Sequence, residues 1–116
     1  MNMQMIGSLF RLFSGEDDLE THMPLLMTAV QETAGMLRRE ADAAEVRLCY
    51  LAAAIANLRY TQLYGAREKA LATYAGTVAR KSDGEQQMRF ALQLVRSYQG
   101  LCADLLEDRD FIFVGV

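Results

Sequence analysis

An all-α fold, a helical bundle of four to five helices around a central Ala-rich helix, is predicted by three features of the 116-residue sequence. Apolar residues recur at spacings of three and four through most of the chain, which winds them onto one face of a helix. Pro24 is the single proline, so almost nothing interrupts helices internally. The stretch from Leu48 to Ala56 is apolar at nine consecutive positions, whereas a membrane span takes about twenty; such a run suits a helix enclosed on all sides. The length fits a single helical domain, residues 1–116, in which about two-thirds of the unfolded chain's surface is buried.

The first element is an amphipathic N-terminal helix in residues 1–14. Met5, Ile6, Leu9, Phe10, Leu12 and Phe13 share a broad face opposite Asn2, Gln4, Ser8 and Arg11, and Ser14-Gly15 supplies the stop, because glycine tolerates the left-handed geometry that ends helices. Glu16-Asp17-Asp18 then leads into a second helix. Acids favour the positive end of its dipole, Asp18 or Thr21 caps it, and Pro24 belongs in its first turn. Its inward stripe is Leu26, Val30, Ala34, Leu37 and Ala41, with the helix running to about Arg39. A third helix is predicted from Asp42, which forms a capping box with Glu45. Its middle is apolar all round, and Ala52, Ala53, Ala54 and Ala56 let neighbours approach closely.

Residues 66 to 72 read as helix, whereas 73 to 79 carry the β-branched and glycine content of an extended segment. Ser82 with Glu85 forms a second capping box, opening a long final helix with the stripe Met88, Leu92, Val95, Tyr98, Cys102 and Leu105. After it comes an apolar C-terminal tail, residues 111–116, from Phe111 to Val116. Two arrangements suit this tail: a short β-ribbon formed by residues near 74–79 and 111–114, or a seat in a groove between helices.

The net charge of −3 hides a strong asymmetry. Residues 16 to 45 hold eight acids against Arg38 and Arg39, while residues 59 to 96 hold seven cations against three acids. Opposite segments of this kind pair within one molecule or between copies. The overall balance disfavours nucleic acid as a partner, since affinity for phosphate backbones comes from clustered Lys and Arg; Arg80, Lys81, Arg89 and Arg96 are the residues that would carry such contact. Cys49 and Cys102 fall within apolar helical patterns and read as free, buried thiols, which suits a cytoplasmic location. Neither a secretory leader nor a transmembrane segment is predicted.

The residues argue against an enzyme. One histidine, His22, with no Glu-x-x-His pairing, supports neither zinc nor di-iron chemistry, and at a helix start it is expected to be solvated or capping. The two cysteines are too far apart for a redox motif, and apolar surroundings blunt a thiol. The glycines are spaced too widely for a phosphate loop. Asp17-Asp18 and Asp108 with Asp110 are expected to be solvated helix ends. No catalytic residue, metal ligand or cofactor is therefore assigned.

Two kinds of surface remain. Met5, Leu9, Phe10 and Phe13 of the first helix, with Phe111 and Phe113 of the tail, are the candidate interface for itself or another protein. A polar face with only Arg11 speaks for packing on the domain or on another copy rather than on lipid. Tyr50, Tyr60, Tyr64 and Tyr98 are the candidate pocket for a small ligand, although tyrosines in such positions are more commonly part of the core.

The Ala- and Tyr-rich helix from Leu51 to Tyr64, the segment Tyr74 to Ala79, a long final helix and an aromatic closing strand together resemble small uncharacterised helical proteins of Gram-positive anaerobes. Over residues 20 to 116 the layout is also similar to that of phage head-tail connector subunits. The resemblance implies a ring-forming, non-enzymatic structural or protein-protein interaction subunit; the residues alone keep a small-ligand-binding or regulatory helical module open beside it.

Overall fold

The computed structural model describes residues 1–75 and 78–107, and between 65 and 83 the course of the backbone alone. Four helices follow one another: α1 (Met3–Ser14), α2 (Leu19–Gly35), α3 (Arg47–Ala75) and α4 (Val78–Leu101). The all-α bundle is as expected. Asn2 caps α1 by accepting the Met5 N–H at 3.2 Å. Gly15 ends the helix in the left-handed region at φ 74°, donating its N–H to the Arg11 carbonyl at 2.8 Å. Asp18 caps α2 through the Thr21 N–H.

Four local expectations are corrected. Pro24 lies in the second turn of α2, not the first; it deprives the Glu20 carbonyl of its donor, but both residues are exposed, where water serves that oxygen. α2 ends at Gly35 rather than near Arg39, because Met36 closes the last turn and Leu37 and Arg38 then run against the chain that follows α4. There Arg38 N–H donates to the Leu105 carbonyl at 2.9 Å and Glu107 N–H to the Met36 carbonyl at 2.8 Å, around an antiparallel bridge between Leu37 and Leu106. Asp42 does not open α3. It accepts the Ala44 N–H in a tight turn, and the Glu45 carboxylate goes forward to Arg47 Nε at 3.0 Å instead of back to Asp42, so the helix starts at Arg47. Ser82 sits within α4, which is already helical from Val78.

The ribbon is likewise not formed where it was expected. Tyr74 and Ala75 close α3 and Val78 and Ala79 open α4, all helical; residues 111–114 lie outside the described residues. Among the described residues there is no strand beyond the single Leu37–Leu106 bridge.

The centre is as predicted. Leu51 to Leu58 are buried without a break, and Ala52, Ala53, Ala54 and Ala56 are fully enclosed. α3 meets α1, α2 and α4. Asn2 lies by Cys49 and Phe10 by Tyr60, so α1 runs in the direction of α3. Tyr98 lies by Tyr50 and the Leu101 carbonyl by Arg47, so α4 runs against it. Ile6 and Phe10 from α1, Leu26 and Ala29 from α2, and Ala91 and Val95 from α4 complete the core. Cys49 and Cys102 are free and buried, and burial pushes the Cys102 thiol up.

Candidate functional site

The buried face of α2 is His22, Leu26, Ala29 and Thr33, one position off the stripe read from the sequence; Ala34 is exposed. The shift takes His22 inside, 5% exposed, which corrects its reading as a solvated or capping residue. Its ring meets Phe10, Tyr60 and Tyr64, the two tyrosines edge-on at 5.1 and 5.5 Å between centroids. Nε2 is 3.7 Å from Glu16 Oε2, and the same oxygen accepts the Tyr60 hydroxyl at 3.1 Å. Close by, the Thr21 hydroxyl and then its N–H hold the Asp18 carboxyl below the usual carboxylate range. A carboxylate, an imidazole and a phenol thus meet at the α1–α2 corner. Their rings enclose one another, and the imidazole has no open face to offer a substrate; the arrangement ties three helices together.

The four tyrosines of the candidate pocket fall into two groups. Tyr60 and Tyr64, 4.5 Å apart, belong with His22 and Phe10. Tyr50 and Tyr98, 5.5 Å apart, belong with Phe13, which stacks on Tyr98 at 6.0 Å. The candidate interface residues of α1 are turned toward the protein's own core. Phe10 is fully buried and has no surface left for a partner, while Met5, Leu9 and Phe13 are partly buried against it; α1 presents Leu12, 75% exposed, and Met3 outward. Phe111 and Phe113 lie outside the described residues.

Two apolar stripes face outward, and the one on α2 includes Val30 and Ala34, which the sequence places inward. On α4, Phe90 and Leu101 are each about half exposed, with half-buried Leu94 between them at helical spacing. The adjoining row is Arg89, Gln93, Arg96 and Gly100, all exposed. On α2, Met23, Met27, Val30 and Ala34 repeat at four, three and four beside the buried face. The signal for both was present as a second periodic row alongside the first, in a helix whose apolar arc is wider than one buried stripe needs.

Charge is neutralised in part internally. Arg59 of the positive middle pairs with Glu32 of the negative segment at 3.2 Å. Among the described residues, Arg89, Arg96, Asp17 and Glu20 form no ion pair. Among the described residues no group of three or more His, Cys, Asp or Glu side chains is placed to hold a metal ion, and no helix is long and apolar enough to cross a membrane. No family model, curated protein or solved structure matches the chain.

Proposed function

We propose that the chain is a non-enzymatic structural subunit that associates with further copies of itself, head to tail, through the outer face of α4 and the corner between α1 and α2. The observation that carries this reading is a pair of complementary surfaces on one molecule. Exposed Arg89 and Arg96 run in the row next to the outward Phe90, Leu94 and Leu101 on α4, and exposed Asp17, Asp18 and Glu20 follow outward Leu12 of α1 within eight residues at the α1–α2 turn. Different patches that match in charge and apolar character make a heterologous contact, which closes into a ring where the rotation allows. A subunit of a phage connector-like ring is the specific form of this proposal.

Sedimentation velocity over a range of protein concentrations tests it. Association at low salt should weaken steeply toward about 0.5 M salt, where screening shortens to a few ångströms. Arg89→Glu with Arg96→Glu should leave monomers, as should Asp17→Arg with Glu20→Arg, while an equimolar mixture of the two variants should associate again. A monomer at every concentration and salt level, or a mixture no different from its components, overturns the proposal.

A further inference from the structure

The outward stripe of α2 continues the acidic corner instead of standing apart from it. Glu20, Met23, Met27, Val30 and Ala34 follow one another at three, four, three and four, which sets them on one line of the helix, all exposed except half-buried Val30. Resting on the head-to-tail reading above, we propose that this stripe is the seat for the α4 row of the next copy, whose Phe90 lies against Met23 and Met27. Phe90, 52% exposed, is the largest apolar side chain that the described part of α4 presents, and Met27 is 55% exposed. Flexible thioethers suit an aromatic occupant, because sulfur packs favourably at ring edges and the side chain adapts to shape.

Spacing and charge match the two surfaces. Phe90, Leu94, Ser97 and Leu101 repeat at four, three and four, as Met23, Met27, Val30 and Ala34 do. Both lines are about 16 Å long at 1.5 Å per residue, so two helices lie side by side over the whole of each. α2 carries Glu20 and Glu32 and no Lys or Arg, while exposed Arg89 and Arg96 border the α4 row. Charge also sets the direction. With the helices parallel, Arg89 and Phe90 come to the end of α2 that holds Glu20 and Met23, and Glu85 is the one acid described there. With the helices antiparallel, the acidic corner meets exposed Asp104 and Glu107 beyond Leu101, where like charges repel. Within one molecule α2 packs on α1 and α3 and, among the described residues, does not meet α4. The occupant is therefore a second copy.

The test is methyl NMR on the full chain with labelled methionine, the Met23 and Met27 signals being assigned from Met23→Leu and Met27→Leu. Both signals should move as the protein associates with rising concentration, while that of buried Met36 stays in place. Labelled Phe90→Leu, which keeps the row apolar but removes the ring current, should lose most of this displacement on its own. Excess unlabelled wild type should restore it, because the ring then comes from the neighbouring copy. As a second readout, Met23→Gln with Met27→Gln, which leaves the charge unchanged, should weaken association in sedimentation at least tenfold. Signals that stay fixed while the protein associates, displacement that persists on dilution, or a glutamine variant that associates like the wild type overturns this seat. If Asp17→Arg with Glu20→Arg still abolishes association in that event, the self-association itself stands; a wild type that never associates overturns both.

Discussion

Arg47 closes one end of the bundle with a single side chain. Its guanidinium donates to both oxygens of Asp104 at 2.8 and 3.1 Å, to the Leu101 carbonyl at 2.9 Å and to Glu45 at 3.0 Å. A cation thus sits at the C-terminal end of α4, where the helix dipole favours it, and a forked donor meets a carboxylate in the geometry that suits both. The Asp104 carboxyl is held below the usual carboxylate range chiefly by this hydrogen bonding. A pKa that is lower in the folded than in the unfolded state contributes stability that is complete above the unfolded value. That contribution is lost as pH falls through the unfolded value toward the folded one. Asp104→Asn should therefore melt below the wild type at neutral pH, with the gap closing below about pH 4; a gap that stays constant down to acid pH counts against the linkage. Asp104 is well exposed, which keeps the effect modest. Nothing in the sequence marks this pair, whose members are 57 positions apart. His22 was legible in principle, since the spacing His22, Leu26, Ala29 and Thr33 is as regular as the stripe that was preferred. Leu and Val outweighed His and Thr in choosing between them, although a histidine capped by rings and a threonine donating to the Ala29 carbonyl at 2.8 Å are both comfortable inside.

α3 shows why an element's interior is easier to read than its ends. Nine apolar residues in a row leave no polar face, and burial on every side follows from that composition. Where α3 begins depends instead on the destination of one carboxylate: Glu45 reaches Arg47, and Arg47 reaches a residue beyond α4. Its far end ran against β propensity, because Thr73, Tyr74 and Ala75 continue a helix already nucleated by its buried middle, and propagation costs far less than nucleation. Ser82 illustrates the same point at α4, where a capping pattern one turn inside an established helix has no free N–H to cap. The small residues of α3 set how closely its neighbours pack. Ala53→Leu adds three carbons at a fully enclosed site, so it should lower unfolding free energy by about 1–3 kcal/mol despite the higher hydrophobicity. The measurement is urea unfolding, and an equal or higher midpoint would show that the bundle has slack around its centre.

At the scale of the whole molecule, the question is whether α1 is an attachment or a wall of the core. The amphipathic pattern of residues 1–14 allows both, since an apolar face docks equally well on its own domain, another copy or an interface. The structure makes it a wall. Ile6 and Phe10 are fully buried among residues of the other helices, Phe10 packs edge-on against Tyr60 at 5.6 Å, and Phe13 stacks on Tyr98 of α4. A helix that shares its largest side chains with the centre unfolds with it. Phe10→Ala should therefore cost about 3–5 kcal/mol, a large part of the roughly 5–15 kcal/mol that separates folded from unfolded in a domain of this kind. Native-state hydrogen exchange separates the two cases. For an integral α1, the slowest amides of Met3–Ser14 and those around Ala53 open at a common free energy, and Phe10→Ala lowers both together. For a detachable α1, its amides exchange at a much lower free energy, and the substitution leaves α3 protection where it was. The second pattern would return α1 to the list of surfaces through which this protein meets its partners.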